Sequence, residues 1–133
     1  MNILAFDTAT QKLAAALKIN SEIFTITADQ GFKHSEKLLP AIEKLFEISG
    51  SKIDDIDLIG CTRGPGSFTG LRIGMSTATG LSLGKNIPLV SVPTLDYYSY
   101  SLDSFDGAVL PVIDARKNRF YTAVYHKGEK KLL

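Results

Sequence analysis

Ile3-Leu4-Ala5-Phe6-Asp7-Thr8-Ala9-Thr10, running on through Leu13-Ala14-Ala15-Ala16-Leu17-Lys18-Ile19, is the stretch that decides the fold. Asn2 to Phe6 is a short apolar run of the kind that makes a buried strand, and it stops on an acid and a polar turn. Leu13 to Ile19 resumes the apolar character. Ile23 to Thr27 then alternates Ile, Phe, Thr, Ile, Thr with the two-residue period of a half-buried strand. Asn20-Ser21 between them is hairpin chemistry. The three runs predict an antiparallel meander.

The same pattern returns late in the chain. Val109 to Ile113 reads as a strand ending on Asp114, a polar turn follows, and Phe120 to Tyr125 is an alternating strand. The spacing from Asp7 to Leu13 equals that from Asp114 to Phe120. An internal repeat of strand, acidic turn and strand is the expectation, with one domain over 1–107 and the first hairpin of a second, similar one over 108–133. The helices and later strands of the first copy have no counterpart before Leu133, so the second reads as cut short.

Between the two copies lie two helical patterns. Leu38, Ile42, Leu45 and Phe46 share a stripe, with Ser35 placed to cap that helix and Gly50 to end it. Pro40 inside it predicts a kink, or a start nearer Leu39. Ile53 to Thr62 predicts a strand, and Arg63-Gly64-Pro65-Gly66-Ser67-Phe68-Thr69-Gly70-Leu71-Arg72-Ile73-Gly74 leads from it into a helix over Ser67 to Gly84. A glycine-rich strand-to-helix turn (Gly64, Gly66, Ser67, Thr69, Gly70) aims backbone N–H groups at one point, which suits an anion; it also suits a tight turn that only glycine fits. In the helix, Gly70, Gly74, Ala78 and Leu81 share a face, and Thr77 helps keep the remainder small. Glycine in a helix costs about 1 kcal/mol relative to alanine. Such a face predicts close packing, within the core or against a partner helix. On the partner reading Gly74→Leu abolishes dimerisation and leaves the circular dichroism near native. Ile87 to Val92 predicts another strand, and the tyrosine-bearing segment after Pro93 has no clear periodicity.

Composition excludes little. The chain has 133 residues, 44% of them apolar and 22% charged, with a formal net charge of +1. That is ordinary globular usage with no global case for nucleic acid or membrane. The charge is uneven: Arg116, Lys117, Arg119, Lys127, Lys130 and Lys131 face only Glu129 over residues 115–133, a local +5. This segment could meet RNA phosphates or an acidic partner, or be a solvated hairpin face. Cys61 is the sole cysteine and sits in an apolar run. No run approaches the ~20 apolar residues of a membrane span, and no leader precedes the first strand, so a cytoplasmic protein is expected.

The duplicated strand–Asp–turn–strand unit, with helices behind, resembles the actin/sugar-kinase/heat-shock (ASKHA) superfamily. The resemblance implies an α/β, actin-like and ribonuclease H-like domain, a mixed sheet with an antiparallel meander and packed helices. It implies phosphate-contacting turns at Asp7-Thr8 and at Asp114-Ala115-Arg116. Four motifs narrow it to the TsaB (YeaZ) family: Ile3 to Thr10, His34 to Ile42, Gly64 to Gly74, and Asp114-Ala115-Arg116 with Phe120-Tyr121. That family implies a non-catalytic partner in threonylcarbamoyladenosine modification of tRNA. It would pair with a metal-dependent TsaD-like transferase, or with itself when alone, and work beside a TsaE-like ATPase. Pairing through the two helices would involve Leu38, Ile42, Leu45, Gly70, Gly74, Thr77, Ala78 and Leu81. No intrinsic cofactor is expected, with ATP or ADP in the assembled complex.

The residues agree with a non-catalytic role. The family's catalytic members carry His-x-x-x-His, whereas here Leu38 follows His34 at that spacing, so no metal site is expected. His34 and His126 are too isolated to argue a hydrolytic triad, which disfavours a glycoprotease-like peptidase. A nucleotide-binding enzyme of the same superfamily is the alternative. Against it, no Lys-Ser/Thr follows Gly70, and the strand after the helix ends without a ribose-binding acid.

Overall fold

The computed structural model describes residues 1–29, 33–102, 104–126 and 129–131. Ile3–Asp7 (β1), Lys12–Ile19 (β2) and Glu22–Asp29 (β3) form the expected meander, with Phe6 opposite Ala15 and Ala16 opposite Thr25. Asn20, in the two-residue turn, takes a left-handed φ of 54°. Leu58–Thr62 (β4) and Leu89–Val92 (β5) add to the other side of β1 in parallel, giving the order β3-β2-β1-β4-β5. Helices His34–Ser49 (α1) and Phe68–Lys85 (α2) pack on one face of this mixed sheet.

Strand alternation builds the core. Leu4 and Phe6 of β1, Leu13, Ala15 and Leu17 of β2, and Ile59 and Cys61 of β4 meet Leu38, Ala41, Ile42 and Leu45 of α1 and Ala78 of α2. Burial pushes the Cys61 thiol above its ordinary value. The opposite face carries Ala5, Ala14, Ala16 and Gly60, small residues that leave a shallow groove beside Thr25, Thr27 and Val92.

Several boundaries differ from those expected. α1 begins at His34, so Ser35 lies inside its first turn and Lys33 stands at the cap without a side-chain bond. The His34 ring, held 2.7 Å from the Thr10 carbonyl, secures that earlier start. The helix continues through Pro40, because the carbonyl left without a donor is that of exposed Glu36. Ile53–Asp55 is a short 3-10 turn rather than strand, since the Asp55 carboxylate accepts from the Lys52 N–H at 2.9 Å and bends the chain. The segment after Pro93 becomes helix Thr94–Tyr100 (α3), whose Thr94 N–H donates to the Gly64 carbonyl at 2.8 Å.

The late hairpin is built in two pieces. Ala108–Val109 (β6) pairs with Val124–His126 (β9), and Val112–Asp114 (β7) pairs with Phe120–Thr122 (β8). The expected continuous strands break at Leu110-Pro111, where proline supplies no donor, and at Ala123 opposite. Glu129–Lys131 (β10) pairs antiparallel with the other edge of β9, giving the order β10-β9-β6. Leu95 of α3, Ile113 and Tyr125 form a second, smaller core.

Candidate functional site

β1 delivers Asp7 to the sheet's carboxyl end, where it is 5% exposed. Its Oδ1 accepts from the Thr62 hydroxyl at 2.6 Å and from the Ala9 N–H at 2.8 Å. Its Oδ2 accepts from the Tyr98 hydroxyl at 3.3 Å. Burial raises the Tyr98 phenol above its ordinary value; the bond with Thr10 lowers it, and the Asp7 charge raises it further. Asp114, at the end of β7, repeats the arrangement in the open: its Oδ1 accepts from the Arg116 N–H two residues on, at 2.7 Å. Both acids therefore close the same local turn, one buried and one exposed.

The glycine-rich loop lies directly against the first turn. The Ser67 N–H donates to the Ala9 carbonyl at 2.6 Å, and the Ser67 hydroxyl caps α2 by accepting from the Gly70 N–H at 3.2 Å. Buried Thr8 donates to the Gly70 carbonyl at 2.8 Å. A Cβ at Gly66 would stand 2.4 Å from the Ala9 oxygen, at Gly70 2.1 Å from the Thr8 oxygen, and at Gly74 2.3 Å from Thr8 Oγ1. The Asp7 turn is thus what comes so close to the helix backbone.

This corrects the expected docking face. Leu38, Ile42, Leu45, Gly70, Gly74 and Ala78 are buried inside the domain, covered by its own sheet and first turn. Thr77 and Leu81 are half-buried. The open sides of the same helices carry Leu39 and Ile48 on α1 and Leu83 on α2, at 50%, 48% and 79% exposure. Gly80 and Gly84 also face outward, with nothing near an added Cβ.

His34 is buried, and because its partner is a carbonyl, Nε2 carries the proton and donates. His126 is exposed, with Nδ1 3.2 Å from the Gly107 carbonyl. Among the described residues no three His, Cys, Asp or Glu side chains stand together as a metal set, and no helix is long and apolar enough to cross a membrane.

A cleft of about 870 Å³ separates the two turns. Thr10, Ser67 and Thr69 line one wall, and Asp114, Arg116 and Tyr121 the other. Asp7 and Thr8 lie behind the first wall, with Tyr98 between Asp7 and the cleft. Sequence reasoning missed Tyr98, Thr62 and the α3 bracket. Asp96 of α3 accepts from the buried Tyr125 hydroxyl, and burial, with that bond and charge, pushes the Tyr125 phenol well above its ordinary value.

Comparison with known proteins places this geometry. Residues 25–133 match the model of the TsaD family, tRNA N6-adenosine threonylcarbamoyltransferase. The tRNA threonylcarbamoyladenosine biosynthesis protein TsaB of Escherichia coli is 37% identical over 97% of this chain and 57% of its own length. TsaB of Bacillus subtilis is 33% identical over 94% of this chain and 55% of its own length. The chain belongs to the TsaB (YeaZ) branch of this family. YeaZ from Pseudomonas aeruginosa superposes with a TM-score of 0.90 at 30% identity, covering 99% of this chain and 64% of that one. The ethanolamine utilization protein EutJ from Carboxydothermus hydrogenoformans, at TM-score 0.59 and 11% identity, shares the actin-like fold alone. The chain spans a little over half the length of the curated TsaB relatives it matches.

Proposed function

We propose that this chain is a non-catalytic partner in threonylcarbamoyladenosine modification of tRNA, pairing with and activating a TsaD-like metal-dependent transferase. The carrying observation is that the sides of α1 and α2 turned away from the core leave Leu39, Ile48 and Leu83 exposed, with open space at Gly80 and Gly84 on α2. Exposed apolar side chains beside glycines allow a partner helix to approach closely. A second copy of the chain takes the same surface when the transferase is absent. A TsaE-like ATPase joins the pair, and ATP or ADP enters with that assembly rather than as a cofactor of this chain. The segment over 108–133 acts as the opening of a second domain, with Asp114 and Arg116 facing the cleft across from Thr10.

The test is reconstitution: a TsaD-like subunit, a TsaE-like ATPase, tRNA and the threonylcarbamoyl donor, with and without this chain. Modified adenosine forms only when the chain is present. Equal product in its absence sinks the proposal.

A further inference from the structure

The turn after Asp114 is unusual in its backbone. Arg116, Lys117 and Asn118 hold φ values of 63°, 53° and 56°, three successive non-glycine residues in the left-handed region. L-residues enter that region at a cost and rarely in series. The turn closes through the Arg116 N–H to Asp114 Oδ1, the Arg119 N–H to the Arg116 carbonyl at 3.1 Å, and the Ala115 N–H to the Arg119 carbonyl at 2.8 Å. Among the described residues no group accepts from the Lys117 or Asn118 N–H. The side chains of Arg116, Lys117 and Arg119 are all exposed. Lys127 lies outside the described residues, as do the side chains of Lys130 and Lys131.

Arg116 and Tyr121 line the cleft together, and Tyr121 is 47% exposed. From the opposite wall Phe68 presents its ring, 74% exposed, with the Arg72 guanidinium 5.4 Å from its centroid. Arg116 at the cleft, with Lys117, Arg119 and free N–H groups exposed on the same turn and aromatic rings inside, matches the phosphates and bases of an unpaired strand. Among the described residues the one acid lining the cleft, Asp114, is already bonded to the Arg116 N–H.

We propose that this cleft holds single-stranded RNA, with phosphates on the Arg116–Arg119 turn and a base stacked on Tyr121. Phosphate and base could also come from a free nucleotide. Two features favour the polymer: the basic rim is exposed rather than enclosing, and the buried Asp7 turn is shut off by Tyr98. Phe120, 63% exposed on the strand's other side, takes no part. The proposal uses the reading above only to name tRNA as the source of the strand.

Fluorescence anisotropy of the intact chain with a labelled oligoribonucleotide, single-stranded and as a duplex, tests it across salt concentrations. Binding favours the single strand and weakens with salt. The combined Arg116→Gln, Lys117→Gln and Arg119→Gln variant loses about tenfold or more, Tyr121→Ala about tenfold, and Phe120→Ala less than twofold. Circular dichroism checks that each variant folds. No binding at low salt, equal binding of the duplex, or undiminished binding by the triple variant overturns the proposal. Displacement of the RNA by ADP, at an ionic strength where inorganic phosphate displaces nothing, reassigns the cleft to a nucleotide. Pairing with a TsaD-like subunit is a separate readout and survives either result.

Discussion

A methyl group at position 70 would sit 2.1 Å from the Thr8 carbonyl oxygen, and backbone cannot step aside as a side-chain tip can. Gly70→Ala therefore lowers stability by about 3 kcal/mol in urea denaturation, the upper range of core overpacking. Gly80→Ala meets open space and raises the stability of the isolated chain by up to about 1 kcal/mol, the helix-propensity gain. A clash with the buried Thr8 hydroxyl likewise changes the expectation for Gly74→Leu, which now disrupts the fold instead of separating dimerisation from it. Thr94 offers a second contrast. Its Oγ1 is buried with no partner among the described groups, so Thr94→Val gains about 1 kcal/mol by removing an unsatisfied hydroxyl. The glycines were legible in the sequence as demands for close approach. What approaches them was not, because Thr8 lies far back in the chain and nothing local points to it.

At the scale of elements, the meander, the two long helices and the central parallel strands were legible because their apolar periods are regular. α3 was not: three tyrosines in seven residues are indifferent helix formers, and its order comes from Thr94 bonded to Gly64 and Asp96 bonded to Tyr125. The interruption of the late hairpin was missed for a similar reason, since the flanking residues still alternate. That bracket predicts an alkaline signature. Because the folded phenol of Tyr125 is raised above its ordinary 10.0, its stabilisation is complete below that pH. As pH rises beyond it the unfolded chain ionises first, and the contribution is lost. Urea midpoints measured below and above pH 10 fall more steeply for the native chain than for Tyr125→Phe. Identical slopes would remove the bracket from the account.

At the scale of the molecule, one face of the sheet is sealed by α1 and α2, and the outer sides of those helices are free to meet a partner. The small-residue face expected to dock a partner, Gly70, Gly74 and Ala78, is buried inside the domain. Small residues mark close packing without saying whether the neighbour belongs to the same chain, and here it is Thr8. The cleft between the two acidic turns was legible only as a duplicated pattern; its basic rim and aromatic lining appear once the hairpin folds back. The most direct measurement is the affinity of the chain for a TsaD-like subunit, by size exclusion or titration calorimetry, with charges placed outward. Leu83→Asp and Ile48→Asp should leave the circular dichroism and urea midpoint near native and weaken the complex at least tenfold. Undiminished binding by both folded variants would contradict the assignment of that surface.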